Sequence, residues 1–396
     1  PIYDYVGGGG GGYGDGRIGL IFDLPLLDSG SGAVNTAVSY AVGSGTPTFT
    51  RATVAWTKLN TGLWASVASG TARSCYLGAD TTVNEYGGYF TEDAGTQLVT
   101  PTASIRDMTD LSWTLGATMT VAKTATGIDG VTNSASTLTG GAVTATNTIL
   151  QTLTAAASSR TYSAFVRRKT GTGTITLMQG TATLDITALI NSSTYTRVSL
   201  NDNELNVAFG FKITTNGDAI EVDFNQFESG AFATSPMASA GAARNADVLT
   251  YPVQTNIPAS TYLEFTPIST VTTAVQLMQA DNGSSNDRYA TYMNADGTHH
   301  AISQANGIGP DVASAANMTL GVTYKTAAKF SIGNVNEFLS GVQGTSGTTL
   351  VATPQTPVAT RIGVSSSNGS QPFGTIRNFR IYNRALADAT LTQMTN

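Results

Sequence analysis

Between Val207 and Phe227 apolar and polar residues alternate with a period of two. Val207, Phe209, Phe211 and Ile213 interleave with Ala208, Gly210, Lys212 and Thr214; after Asn216-Gly217, Ile220, Val222 and Phe224 interleave with Glu221 and Asp223. Successive side chains of a strand point to opposite faces, so each run predicts a strand with one buried face. Asn and Gly both tolerate the positive φ of a two-residue turn, and the pair predicts a tight hairpin. Beyond Glu228-Ser229-Gly230 the chain passes through small residues, Pro236 to Ala246, and a new strand-rich region begins near Val248.

The same pattern recurs on both sides. Upstream, Trp113 and Leu115, Ile149 to Leu153, Tyr162 to Val166, Ile175 and Leu177, and Tyr195 to Leu200 read as strands. Downstream, so do Tyr262 to Phe265, Val275 to Met278, Arg288 to Met293, Tyr324 to Ile332, Thr360 to Val364 and Ile376 to Tyr382. Turn formers such as Asp281-Asn282-Gly283, Asp296-Gly297, Ser340-Gly341 and Asn368-Gly369 separate the latter set. Residues Ala387 to Met394 predict a short helix with Leu391 and Met394 on one face. From Asp23 to about Pro101 the signal is irregular: Thr48 to Trp56 and Gly88-Tyr89-Phe90 look like strands, and Trp56 and Trp64 are available to a core. Short strands at close spacing predict β-sandwiches. The expected fold is all-β: two tandem β-sandwich (jelly-roll) domains preceded by a Gly-rich N-terminal arm, with a short C-terminal helical turn. The expected boundaries are 1–24, 25–245 and 246–396.

Composition narrows the function. The 396 residues include 43 glycines and are 12% charged and 41% hydrophobic, which suits many short strands and turns and argues against disorder. A net charge of −6 leaves no basic field for a phosphate backbone, so nucleic acid is not an expected partner. The basic run Arg167-Arg168-Lys169 reads as a solvated strand end. Cys75 is the one cysteine, which rules out an intrachain disulfide. No apolar run approaches the ~20 residues of a membrane span, and the first residues lack the basic start and apolar core of a signal peptide. A soluble protein without membrane insertion is expected.

The N-terminal 24 residues combine Tyr3, Tyr5, the tract Gly7 to Gly12, and Ile18, Leu20, Ile21 and Phe22. Polyglycine holds no single conformation by itself, so the segment is either a disordered tail or an arm that orders against a partner, with these aromatic and apolar residues as anchors.

Several segments resemble known proteins. Asn225-Gln226-Phe227-Glu228-Ser229-Gly230-Ala231-Phe232-Ala233-Thr234-Ser235-Pro236, followed by Ala243-Arg244-Asn245-Ala246-Asp247-Val248-Leu249, resembles a segment of tailed-bacteriophage virion proteins of the fibre, spike and decoration kind, where it ends a carbohydrate-binding-module-like jelly roll. Phe49-Thr50-Arg51-Ala52-Thr53 and Glu92-Asp93-Ala94-Gly95-Thr96-Gln97-Leu98 resemble the start of that module. From Tyr262 the chain resembles a concanavalin A-like or laminin G-like sandwich, most of all at Gly374-Thr375-Ile376-Arg377-Asn378-Phe379-Arg380-Ile381-Tyr382-Asn383-Arg384-Ala385-Leu386. Ala387 stands where many members carry the Ser or Thr that caps the following helical turn, a difference of ~1 kcal/mol. The resemblance implies a virion structural protein, a tail or head fibre or spike, assembled in the host cytoplasm, displayed on the particle surface and touching host surface glycans. Its implied partners are other virion proteins and further copies of itself, as in the trimers of phage fibres. A decoration protein that only stabilises a capsid, and a polysaccharide depolymerase, are the alternatives.

Candidate chemistry is sparse. Glu221, Asp223 and Glu228 invite comparison with the paired carboxylates of glycosidases on concanavalin A-like folds, but strand parity puts Glu228 on the face opposite the other two. No catalytic residue is therefore assigned, and a non-enzymatic role is expected. His299 and His300 are adjacent and read as an exposed polar loop, not a metal site. Asp281, Asn282, Asp287 and Asp296 could gather around a calcium ion, although Asp-Asn-Gly and Asp-Gly are turn formers first, so no cofactor is expected unless it is calcium. Sugar binding needs an aromatic face beside polar groups, and Tyr289 and Tyr292 are the candidates for it. Cys75 has no evident base beside it.

Overall fold

The computed structural model describes residues 20–24, 26, 28–30, 33–34, 46–77, 85–99, 105–237, 241–252, 256–348 and 354–396. Their regular structure is almost entirely antiparallel strand, arranged as β-sandwiches, in keeping with the all-β expectation. The one α-helix among them, Asp388–Thr395, follows Ala387, whose side chain makes no capping hydrogen bond; Leu391 anchors the helix by full burial.

The first sandwich pairs two five-stranded sheets. One runs in the order Thr114–Leu115, Thr148–Thr152, Ala208–Ile213, Ile175–Gln179, Ala182–Asp185; the other runs Thr120–Ala125, Ala135–Thr139, Ala219–Ser229, Ser158–Thr170, Thr196–Glu204. Ala208–Ile213 and Ala219–Ser229 thus lie in opposite sheets, and Asn216-Gly217 turns an arch between them, not a hairpin. The local demands are the same, a tight turn between two half-buried strands, but in the arch the apolar faces meet across the core. Phe209 and Phe227 stack there with centroids 4.3 Å apart, and Tyr162 packs against both. Gly217, at φ 80°, donates its N–H to the Gly140 carbonyl at 2.8 Å. Trp56 and Trp64 lie outside this core and pad the outer surface of the second sheet against Phe224 and Phe165.

The second sandwich is discontinuous in sequence. Its seven-stranded sheet runs Asp311–Asn317, Thr298–Gln304, Arg288–Met293, Val275–Asp281, Ala359–Ile362, Val248–Pro252, Thr48–Thr50. Its ten-stranded sheet joins Asp28–Gly30, Ala33–Val34, Arg73–Leu77 and Glu85–Thr91 to Gly374–Tyr382, Ala259–Pro267, Tyr324–Ser331, Asn334–Leu339 and Val342–Gly347, with Leu20–Leu24 also on Gly374–Tyr382. These strands before residue 92 therefore belong with strands after residue 247, and the first sandwich is inserted between them; Ala55–Lys58 and Trp64–Val67 form a separate two-stranded sheet whose Trp56 and Trp64 pack on the first sandwich. This corrects the expected grouping of 25–245 as one unit. The cause lies in Gly374–Tyr382, which takes two partners on one side: Phe90 pairs with Thr375 near its start, and Leu24 with Phe379 near its end.

Leu20, Ile21 and Phe22 form part of that paired strand, and Leu20 packs on the cluster of Tyr262, Phe338 and Tyr382. Of the expected anchors, these three thus lie in a strand paired within the chain; Tyr3, Tyr5 and Ile18 lie outside the described residues.

A buried ionic network stands where the chain passes between the sandwiches. Arg73 donates to Glu92 at 2.7 Å, to Asp247 and to the Ser235 hydroxyl at 3.0 Å; Arg51 donates to Asp247 at 2.8 Å; Arg244 lies 3.2 Å from Glu92. All five charged side chains are at most 1% exposed. Charges taken from water this completely persist only when paired and hydrogen-bonded. Arg51, Glu92, Ser235, Arg244 and Asp247 come from segments far apart in the sequence, and the fold gathers them at this junction.

Candidate functional site

The three carboxylates of Ala219–Ser229 come first. Phe165 pairs with Asp223 but Ser163 with Gln226, so one extra residue is accommodated, and Phe224 takes φ 46°. Such a bulge shifts the alternation by one. Glu228 thereby lands on the face of Glu221 and Asp223, contrary to the parity expected from an unbroken strand. Each carboxylate is nonetheless separately engaged. Glu221 pairs with Arg167 and, at 3.4 Å, with Lys169. Asp223 accepts from Arg106 Nε at 2.7 Å and from the Ile128 N–H at 2.8 Å, and Glu228 accepts from the Thr234 hydroxyl at 2.7 Å. Burial pushes the pKa of both Asp223 and Glu228 upward, against the pull of Arg106 and Arg197 respectively.

The outer face of the seven-stranded sheet carries the more open array. Along Arg288–Met293, Tyr289 and Met293 enter the main core while Ala290 and Tyr292 join a separate cluster with Ile302. Tyr289 is fully buried against Phe330, so it is a core residue and not a ligand-binding one. Tyr292 lies directly opposite His300 on the neighbouring strand, and the two rings stack with centroids 4.7 Å apart. The Tyr292 hydroxyl donates to Asp311, whose carboxylate lies 3.0 Å from His300 Nδ1; Thr298 Oγ1 lies 2.9 Å from His300 Nε2. Burial first, and then the Asp311 carboxylate, raise the Tyr292 pKa, so this phenol stays a donor. One strand end away, Arg288 donates to Gln304 at 3.0 Å and to Gln279 at 3.1 Å, and Arg361 donates to Asp281 at 2.9 Å. The Asp311 side chain remains 41% exposed. The result is a flat field of oriented donors and acceptors with its tyrosine ring covered by imidazole, instead of the bare aromatic platform expected.

His299 and His300 are on a strand, Thr298–Gln304, and not on an exposed loop. They face opposite ways, as adjacent strand residues must. His299 is fully buried, with Nδ1 2.6 Å from Glu337 of the opposing sheet. The residues that could have gathered around calcium are engaged separately: Asp281 accepts from Arg361 and the Gly283 N–H, Asp287 accepts from the Gln355 N–H, and Asp296 closes a turn on Thr298 beyond the far end of Arg288–Met293. Among the described residues no three His, Cys, Asp or Glu side chains are placed to hold a metal ion, and no helix is long and apolar enough to cross a membrane. Cys75 is buried, and burial raises its thiol pKa.

Residues 247–392 match the family model of the concanavalin A-like lectin/glucanases superfamily. No curated protein matches the chain. Among solved structures, the chain is similar to the carbohydrate-binding module CBM40 of a Ruminococcus gnavus IT-sialidase bound to α2,3-sialyllactose, at 14% identity, 36% of this chain, 84% of that one and TM-score 0.32. It is also similar to domain 4 of AbnA, a GH43 extracellular arabinanase from Geobacillus stearothermophilus in complex with arabinotriose, at 20% identity, 38% and 73% coverage and TM-score 0.34. A third is the receptor-binding domain of botulinum neurotoxin D, at 12% identity, 37% and 40% coverage and TM-score 0.31.

Proposed function

We propose that this chain binds glycans without cutting them, through the outer face of the seven-stranded sheet, as a structural protein on a bacteriophage particle. The observation that carries the binding reading is the array of Asp311, His300, Arg288 and Gln304 at the sheet surface, whose donors and acceptors are oriented before any ligand arrives by hydrogen bonds with the buried Tyr292 and Gln279 beneath them. Preorganised polar groups suit the hydroxyl pairs of a sugar because little ordering remains to be done on binding. The binding-only reading is supported by the state of the carboxylates: glycoside hydrolysis needs two of them flanking one bond, about 5 Å or roughly 6.5 to 9.5 Å apart. Here Asp311 is joined to Tyr292 and His300, and Asp281 to Arg361. The fibre or spike role is supported by the resemblance of residues 49–53, 92–98, 225–236 and 243–249, and its partners would be other virion proteins and further copies of the chain, a trimer by analogy.

Arrayed surface polysaccharides of host bacteria test the reading. Wild type is expected to bind a subset, and Asp311→Asn and Arg288→Gln to weaken that binding by about tenfold, the scale of one charge-assisted hydrogen bond. New reducing ends released by the wild-type protein would overturn it, as would unaltered binding by both variants.

A further inference from the structure

A cleft of about 340 Å³ opens between the two sandwiches, near the lower limit of ligand-sized pockets. Arg197 and Ser199 line it from the first sandwich, Phe232 from the connecting segment, and Ser269, Thr270 and Phe373 from the second. Arg197 is its chemical centre. The guanidinium lies over the Phe165 ring at 5.3 Å and donates from Nη2 to the Ser163 hydroxyl at 3.0 Å; its Nε is buried without a hydrogen-bond partner. Among the described residues no carboxylate comes within 4 Å of it, whereas Arg51, Arg73 and Arg244 behind it each have one. Glu228 and Glu92 act on this half-buried guanidinium only from beyond 4 Å, so no carboxylate is bonded to it directly and a close anion would still be favoured. Phe232 is half-buried and its ring lies 5.9 Å from that of Phe373, which offers an apolar wall beside the hydroxyls of Ser199, Ser269 and Thr270.

We propose that this cleft binds the carboxylate of an acidic sugar residue, with Arg197 as its counter-charge, Phe232 against the ring face and the Ser and Thr hydroxyls meeting the sugar hydroxyls. A free carboxylate alone would leave the aromatic wall and hydroxyls unused, and a neutral sugar would leave the guanidinium without a directly bonded anion. The site is separate from the sheet face around Tyr292, so the two stand or fall independently.

Calorimetric titration of the 396-residue chain with trigalacturonate, its methyl ester, sialyllactose, lactose, acetate and a peptide with a free C-terminal carboxylate tests this. At least one acidic saccharide is expected to bind, and its neutral counterpart at least about tenfold more weakly. Arg197→Gln is expected to lose about tenfold for the acidic sugar only, Arg197→Lys less, and Phe232→Ala several-fold for sugars but not for acetate. The loss caused by Arg197→Gln is expected to be the same in an Asp311→Asn background, which separates this site from the sheet face. Near-ultraviolet circular dichroism establishes that each variant is folded, and Phe232→Ala, away from the ionic network, keeps the test open if Arg197→Gln is not. The proposal is overturned if neither acidic saccharide binds, if acid and neutral forms bind alike, if Arg197→Lys and Phe232→Ala bind as wild type, or if a peptide with a free C-terminal carboxylate binds as tightly as the sugar.

Discussion

Glu92 accepts from Arg73, from the Ser235 hydroxyl and from the Ser235 N–H at 2.9 Å, deep between the sandwiches. Burial alone would raise its pKa, but Arg244 and Arg73 outweigh that and hold it below its ordinary 4.5. A carboxyl that is more acidic folded than unfolded contributes stability above the unfolded value and loses it as pH falls through the folded one. Glu92→Gln is therefore expected to lower unfolding free energy by about 3–5 kcal/mol at pH 7, the scale for breaking a buried pair. The gap between wild type and variant in denaturant melts should close as pH drops below about 4. A gap that is constant with pH would show that Glu92 acts through shape and not charge. Nothing in the local sequence announced this role, because Arg51, Arg73, Glu92, Arg244 and Asp247 are spread over some two hundred residues and only the fold gathers them. Tyr289 and Tyr292 show the opposite case: their spacing of three already placed them on opposite faces of a strand, and so only Tyr292 could be outward.

Strands are legible as elements because burial of one face imprints a period of two; the pattern predicts Arg288–Met293 at its observed bounds, and Ala208–Ile213 within a residue. Which strands pair was less legible. The Asn216-Gly217 arch and a hairpin share one sequence signature, and the bulge at Asp223-Phe224 depends on a register set by Ser158–Thr170, not by its own residues. The irregular stretch before residue 97 obeyed another logic: Arg73–Leu77 buries Arg73, Ser74 and Cys75 in succession, so no alternation survives. Leu20–Leu24 likewise reads as an arm until its partner Phe379–Tyr382 is known. Two truncations, one lacking residues 1–19 and one lacking 1–24, isolate the contribution of this strand. Removing 1–24 also takes fully buried Leu24 and should destabilise by about 3 kcal/mol or more, as loss of a core leucine does. Equal melting of the two truncations would show the strand to be dispensable.

At the scale of the molecule, a cut at residue 246 does not separate two domains. A fragment of residues 246–396 lacks the strands Thr48–Thr50, Arg73–Leu77 and Glu85–Thr91, and with them Tyr89, which is fully buried in the second core. It is expected to bind a hydrophobic dye and melt without cooperativity, whereas residues 20–396 melt cooperatively; a sharp melt of the fragment would mean that the earlier strands are trimmings. The insertion also fixes how the sandwiches are joined. Gly95-Thr96 leaves for the first sandwich and Ala243-Arg244 returns from it, and the two are paired as antiparallel neighbours. A body hung on one tether can swivel about it, but one hung on two tethers bonded side by side resists torsion and retains chiefly a bending freedom about the line that joins them. The inserted sandwich is thus held at a set azimuth, and whatever it carries faces a constant direction relative to the sheet below.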